Sequence, residues 1–158
     1  MSTRFSPIRT LIVDDSEHEC LLLRAQLHSI ASVKVIGCVH DGIEALAYIR
    51  GIEQFKDREA FPHPDLMLLD YKMPRCDGMQ VLRFLQHGFS RPRVILWSSA
   101  VEQIDAPLAM ELGADLVCRK PCCHRELMET IHRLESKLFK DIFVAPPQRT
   151  PRAERVAL

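Results

Sequence analysis

The stretch DLMLLDYKMPRCDG, residues 65–78, decides the fold. Its start is an apolar run that predicts a strand over residues 65–69, covered on both faces of a sheet. The run ends on a carboxylate, Asp70, and a polar turn follows. Asp77 is suited to capping the N-terminus of a helix. The segment therefore predicts a buried strand, a polar loop at its carboxyl end, and a helix.

The same order of strand, loop and helix recurs along the chain. The predicted strands cover residues 9–13, 33–37, 65–69, 93–97 and 116–118. The predicted helices begin after Ser16, at Asp41-Gly42 and after Asp77, and two more lie within 103–112 and over 123–139. Residues 51–64 are polar, contain proline, and predict a long connection. Five strands alternating with five helices predict an α/β fold, a (βα)5 doubly wound, five-stranded parallel sheet.

The size and charge of the chain limit its functional class. Its 158 residues fit one domain, which we place at residues 8–139, with an N-terminal extension at 1–7 and a flexible C-terminal tail at 140–158. Lys plus Arg and Asp plus Glu both number 21, so no basic excess indicates a nucleic-acid partner. No apolar run approaches the roughly 18 residues of a membrane span, and no secretory signal is evident. We expect a cytoplasmic protein without a membrane partner.

The six cysteines do not form a recognisable disulfide framework or metal site. Cys118, Cys122, Cys123 and His124 lie close together in sequence. Structural zinc sites usually pair two such groups, and the sequence has no second one. Because thiols usually stay free in a reducing compartment, we interpret these residues as ordinary thiols.

Polar side chains follow four of the predicted strands at their carboxyl ends. Asp14 and Asp15 follow the first strand, Asp70 the third, Ser98 the fourth and Lys120 the fifth. In an open parallel sheet these ends share one edge, where ligands bind. Each residue alone is a common turn or cap residue, but their combination at one edge indicates a functional site.

These residue types match the needs of phosphoryl transfer to a carboxylate. Three clustered carboxylates repel one another unless a cation is present, and oxygen ligands favour Mg²⁺. Asp70 can then act as the nucleophile toward phosphorus. Lys120 supplies a positive charge and Ser98 a hydroxyl to the phosphoryl oxygens, and Pro121 fixes the chain after Lys120. The pattern predicts that Asp70 is a phosphoacceptor.

Four segments together resemble the receiver domain of two-component response regulators, the CheY-like family: LIVDDS, LLDYKMPRCDG, WSSA and CRKP. The resemblance covers residues 8–139 and implies a flavodoxin-like, CheY-like fold. It implies that Asp70 accepts a phosphoryl group from a phosphohistidine of a sensor histidine kinase or a histidine phosphotransfer protein. It also implies that Asp15, Asp70 and the backbone carbonyl of Lys72 bind Mg²⁺ directly, with Asp14 acting mainly through water.

The resemblance also assigns the residues that respond to phosphorylation. Ser98 and Lys120 would contact the phosphoryl group and move on activation, with Ser99 and Pro121 as supporting residues. Ser98 stands where Thr is commoner, and it lacks the methyl group that restricts rotation. Val117 stands where the family often has a switch aromatic, so transmission by a rotating ring is not available to this chain.

The expected function is that of a stand-alone, single-domain response regulator rather than an enzyme. Its phosphorylated form would bind a partner, or form a homodimer, through helix 4, strand 5 and helix 5. The long 51–64 connection resembles regulators paired with phytochrome-type kinases. An intermediate shuttle in a phosphorelay and an adaptor that never uses the site stay open. A haloacid-dehalogenase-like phosphatase is disfavoured, because Lys72 replaces its acid/base aspartate.

Overall fold

Five strands and five helices alternate in the computed structural model, which describes residues 6–88 and 90–143. The strands are β1 (Ile8–Val13), β2 (Val33–Val39), β3 (Leu66–Asp70), β4 (Arg93–Ser98) and β5 (Leu116–Arg119). The helices are α1 (Glu17–His28), α2 (Gly42–Arg50), α3 (Gly78–Leu85), α4 (Ala106–Glu111) and α5 (His124–Phe143). The strands form one parallel sheet in the order β2-β1-β3-β4-β5. The predicted (βα)5 doubly wound sheet is therefore confirmed.

The sheet is covered on both faces, because successive side chains of a strand point to opposite sides. On one face Leu11 and Met67 pack in a core with residues of α2, α3 and α4. On the other face Ile12 and Leu68 pack with residues of α1 and α5. All four of these side chains are fully buried. Coverage on both faces explains why the strands read as continuous apolar runs.

The helices after β1 to β4 begin at side chains that cap their N-termini. Ser16, Asp41, Asp77 and Asp105 each accept a hydrogen bond from a backbone N–H in the first turn of the helix that follows. Asp77 also forms a complete capping box with Gln80. The starts predicted at the first three of these residues agree with the structure. These caps fix the loops that connect the carboxyl edge of the sheet to the helices.

The fourth helix lies within the predicted range of 103–112 and is shorter than that range. A 3₁₀ turn at Val101–Gln103 precedes it. Asp105 has a non-helical backbone and accepts from the Leu108 N–H, so it separates the turn from the helix. Pro107 lies in the first turn of α4, where a missing N–H is tolerated.

The last helix continues into the predicted tail. The tail was expected from residue 140, but α5 continues to Phe143. Residues 1–5 and 144–158 lie outside the described residues, so the division into extension, domain and tail stays a prediction. Among residues 6–88 and 90–143, no helix combines the length and the apolar composition that crossing a bilayer requires.

The predicted long connection between α2 and β3 is packed against the domain by two of its aromatic side chains. Phe55 and Phe61 pack against each other and against Tyr48 of α2. The ring centroid of Tyr48 lies 4.9 Å from that of Phe55 and 6.0 Å from that of Phe61, and the two phenylalanine centroids are 5.3 Å apart. Aromatic pairs at such distances stabilise a fold beyond the area they bury. This connection is therefore a part of the core facing α2.

Arg58, in the same connection, caps the C-terminus of α2. Its guanidinium donates to the carbonyl oxygens of Tyr48 at 2.8 Å and Ile49 at 2.6 Å. Gly51 ends the helix in the left-handed region with φ of 64°. A Cβ atom at this glycine would lie 2.5 Å from Nε of Arg58. The cap therefore requires both the arginine and the absence of a side chain at residue 51.

We expect Arg58→Ala to lower the free energy of unfolding by about 1.5–3 kcal/mol, because two helix-end carbonyls lose a charged donor. Urea unfolding followed by circular dichroism measures this change. Lys56→Ala serves as the control, because Lys56 is exposed in the same connection and should stay within about 0.5 kcal/mol of the wild type. Equal stability of Arg58→Ala and the wild type would contradict the capping role.

Candidate functional site

Three aspartate side chains meet at the carboxyl edge of the sheet. Asp14 and Asp15 directly follow β1, and Asp70 ends the adjacent strand β3. One carboxylate oxygen from each residue lies within 4.8 Å of the other two. Asp14 and Asp70 are buried, whereas Asp15 is exposed. The structure thus brings together the three acidic residues that the sequence singled out.

Lys120 pairs with both buried carboxylates. Its Nζ donates to Oδ2 of Asp14 at 2.5 Å and lies 3.5 Å from Oδ1 of Asp70. The other oxygen of Asp14 accepts from the backbone N–H of Ser16 at 3.0 Å. The Lys120 side chain is itself only 14% exposed. One buried ammonium group therefore offsets the repulsion between two carboxylates.

The surroundings of Asp70 raise its pKa to about 6. Burial disfavours the charged carboxylate, and the charges of Asp14 and Asp15 add to this, whereas Lys120 acts in the opposite direction. The pKa of Lys120 is raised overall. Burial alone would lower it, but the hydrogen bond to Asp14 and the negative charge of Asp70 outweigh that effect. At neutral pH, Asp70 is mostly ionised and Lys120 is charged.

Ser98 reaches the same edge from β4. Asp70 lies opposite Trp97 in the pairing of β3 with β4, and Ser98 comes one residue later. Ser98 is 4% exposed, and its Oγ accepts from the backbone N–H of Ala100 at 3.1 Å. The backbone N–H of Lys120 donates to the Ser98 carbonyl oxygen at 3.0 Å. A hydroxyl group is therefore held on the strand next to the predicted phosphoacceptor.

The other residues predicted from the sequence lie around this cluster. Lys72 is exposed and lines an open cleft of about 520 Å³ beside Asp15. The Ser99 carbonyl oxygen accepts from the guanidinium of Arg119. Pro121 is half-buried directly after β5, and Val117 packs against the core facing α4. The proposed use of the Lys72 carbonyl as a ligand stays a prediction.

Two polar contacts beside the site have no local signature in the sequence. His40 Nδ1 lies 3.1 Å from the backbone carbonyl oxygen of Asp14. Arg75, in the loop between β3 and α3, forms an ion pair with the buried carboxylate of Asp41. Arg75 also has a left-handed backbone with φ of 64°, which is uncommon for a residue with a side chain. Each contact joins residues that are more than 25 positions apart.

The acidic cluster has the chemistry that a hard divalent cation requires. Its donors are carboxylate oxygens, which Mg²⁺ prefers over nitrogen and sulfur ligands. Three carboxylates against one ammonium group leave two formal negative charges. A divalent cation would balance this charge, so the residues present fit such an ion.

Comparison with known proteins shows which family shares this arrangement. The model of the response regulator receiver domain matches residues 10–132. Protein-glutamate methylesterase/protein-glutamine glutaminase 5 of Myxococcus xanthus is 33% identical over 160 residues, which cover 96% of this chain and 42% of that protein. Protein-glutamate methylesterase/protein-glutamine glutaminase 3 of Geobacter sulfurreducens is 37% identical over 114 residues, which cover 72% of this chain and 28% of that protein. The chain spans less than half the length of these relatives.

Solved structures agree with the family model. The bacteriophytochrome response regulator RtBRR superposes with a TM-score of 0.69 and 28% identity, covering 92% of this chain and 85% of that chain. A response regulator in red light signaling of R. palustris superposes with a TM-score of 0.66 and 28% identity. The match covers 92% of this chain and 100% of that chain. Because the family model matches most of the folded residues, this chain belongs to the family of response regulator receiver domains.

Proposed function

We propose that the chain is a phosphorylation-dependent switch in which Asp70 accepts a phosphoryl group from a phosphohistidine. The donor would be a sensor histidine kinase or a histidine phosphotransfer protein. The observation that carries this proposal is the position of Lys120, 2.5 Å from Oδ2 of Asp14 and 3.5 Å from Oδ1 of Asp70. An ammonium group beside a buried carboxylate can stabilise the charge of a phosphoryl group transferred to that carboxylate.

In the proposed reaction an ionised oxygen of Asp70 attacks phosphorus. The new O–P bond forms as the N–P bond of the phosphohistidine breaks, and the electron pair returns to the imidazole. Lys120 and the Ser98 hydroxyl would donate to the phosphoryl oxygens. The pKa of about 6 supports the role of Asp70, because its carboxylate is mostly ionised at neutral pH.

We propose Mg²⁺ as the cation of the acidic cluster. Asp15, Asp70 and the backbone carbonyl of Lys72 would hold it directly, with Asp14 acting mainly through water. The structure supports an indirect role for Asp14, because both of its carboxylate oxygens already accept hydrogen bonds from Lys120 and Ser16. The ion would supply positive charge to balance the carboxylates and the incoming phosphoryl group.

The proposed output is binding rather than catalysis. The phosphorylated chain would bind a partner, or a second copy of itself, through the face formed by α4, β5 and α5. We place this interaction in the cytoplasm. This face adjoins the site, because β5 leads directly into Lys120. Similarity to bacteriophytochrome response regulators supports a phytochrome-type kinase as the phosphodonor. The proposal does not include the activity in the names of the two methylesterase/glutaminase relatives, because the chain spans only 42% and 28% of their lengths.

Incubation with acetyl phosphate and Mg²⁺ should add one acid-stable, base-labile phosphoryl group to the wild type. Asp70→Asn should not be labelled, because the amide is not a nucleophile toward phosphorus. Intact mass spectrometry measures the uptake. Asp105→Asn is the matched control, since Asn caps a helix as well as Asp does and the α4 cap is preserved.

Equal labelling of the wild type and Asp70→Asn would overturn the proposed phosphoacceptor. A second reaction separates a terminal switch from a phosphorelay shuttle. Transfer of the phosphoryl group from the labelled chain onto a histidine phosphotransfer domain would assign the shuttle role.

The raised pKa of Asp70 predicts how stability depends on pH. The folded value of about 6 exceeds the ordinary value of 3.8, so stability is lost as pH rises through this interval and the buried carboxylate ionises. We therefore expect Asp70→Asn to be more stable than the wild type by about 2–3 kcal/mol at pH 7.5 without Mg²⁺. At pH below about 3, where the carboxyl is protonated in both states, the difference should vanish.

Chemical denaturation at several pH values measures this difference. Mg²⁺ should raise the stability of the wild type, because the ion binds only the folded state, and should have a much smaller effect on Asp70→Asn. Glu111→Gln removes an exposed carboxylate outside the site and should respond to pH and Mg²⁺ like the wild type. Parallel pH curves for Asp70→Asn and the wild type would contradict the prediction.

A further inference from the structure

Arg119 connects two segments beside the site. It is the last residue of β5, lies opposite Ser98 in the sheet register, and precedes Lys120. Its Nη1 donates to the Ser99 carbonyl oxygen at 2.6 Å, and its Nη2 pairs with Glu102 at 3.2 Å. The bond to Ser99 is charge-assisted, but the Arg119 side chain is 60% exposed, so water weakens its contribution.

The segment that Arg119 holds carries the site hydroxyl. Ser98 and Ala100 are joined by the bond from the Ala100 N–H to the Ser98 Oγ. The Ser98 carbonyl oxygen accepts from the backbone N–H of Lys120. Residues 98–102 are therefore fastened to the end of β5 by the Lys120 backbone and by both arms of the Arg119 guanidinium. A displacement of the backbone in this segment would strain these bonds, whereas rotation of the Ser98 side chain breaks only the bond from the Ala100 N–H.

The other contacts of β5 with this region are the strand pairing with β4 and apolar packing. Val117 is the half-buried β5 residue that packs against the neighbouring core, and it has no polar group with which to hold the segment. Arg119 is the β5 side chain that bonds to both the Ser99 backbone and the Glu102 carboxylate. Its position makes it the link between the hydroxyl of β4 and the lysine that follows β5.

The geometry points to Arg119 as a positioning residue that holds the 98–102 segment in its unphosphorylated position. This inference rests on the proposed function of Asp70. A phosphoryl group on Asp70 would attract both the Ser98 hydroxyl and Lys120, because its oxygens are strong acceptors. A backbone shift that carries Ser98 toward that group pulls the Ser99 carbonyl oxygen away from the guanidinium. The Arg119 bonds thus oppose the phosphorylated arrangement, and their loss favours it.

The experiment uses beryllium trifluoride with saturating Mg²⁺, which forms a phosphoryl-like adduct on an aspartate carboxylate. Fluorine NMR measures the bound fraction, and thermal melting verifies that each variant is folded. We expect Arg119→Ala to bind the probe about threefold to tenfold more tightly than the wild type, because the hydrogen bonds that oppose movement are absent. The affinity for Mg²⁺ alone should not change.

Three variants separate the roles of the two bonds and of net charge. Glu102→Ala keeps the bond to Ser99 and should bind the probe about twofold more tightly at most. Arg119→Gln keeps part of the aliphatic side chain and should also bind the probe more tightly than the wild type. It tests the positioning role if Arg119→Ala does not fold. Arg133→Ala removes an exposed positive charge from α5 and should match the wild type.

Unchanged or weaker probe binding by folded Arg119→Ala or Arg119→Gln, with a wild type that binds normally, would overturn the positioning role. A lower melting temperature without a change in probe affinity would give Arg119 a purely structural role and has the same consequence. Failure of the wild type itself to bind the probe would instead contradict the proposed phosphoacceptor, and the inference would fall with it.

Discussion

The contact of Lys120 with Asp14 and Asp70 is the interaction on which the rest of the site depends. Two buried carboxylates side by side are unfavourable, and so is a lysine that is only 14% exposed. Lys120 offsets both carboxylates, so its removal would leave two buried negative charges without a partner, whereas removal of one aspartate leaves Lys120 paired with the other. Asp14 and Lys120 are 106 residues apart, so the contact forms only when β1, β3, β4 and β5 are correctly ordered.

This dependence explains why the fold and the central site residues could both be predicted from the sequence. The strands are continuous apolar runs because both sheet faces are covered, and the caps at Ser16, Asp41 and Asp77 are local features. Parallel strands then bring their carboxyl ends to one edge whatever the details of the loops. Asp70 and Lys120 could therefore be placed together without any knowledge of their contacts.

Contacts made by exposed arginines could not be predicted in the same way. Arg58, Arg75 and Arg119 follow no helical or strand period, and in the sequence each resembles a solvated surface charge. Their partners are carbonyl oxygens or a buried cap, which become available only after the helices and strands have packed. The residue at which α4 begins within the predicted range of 103–112 could not be predicted either. The non-helical backbone of Asp105, a residue that would also fit within a helix, sets its start.

The pairing of Arg58 with Gly51 also determines how the α2–β3 connection can vary in length. Surface loops usually tolerate insertions and deletions. Here an added or missing residue between positions 51 and 58 would displace the guanidinium from the carbonyl oxygens of Tyr48 and Ile49. It would also separate the left-handed glycine from the group that covers it. Related chains with a different spacing in this connection must therefore end their second helix by other means, and the two positions should change together during sequence divergence.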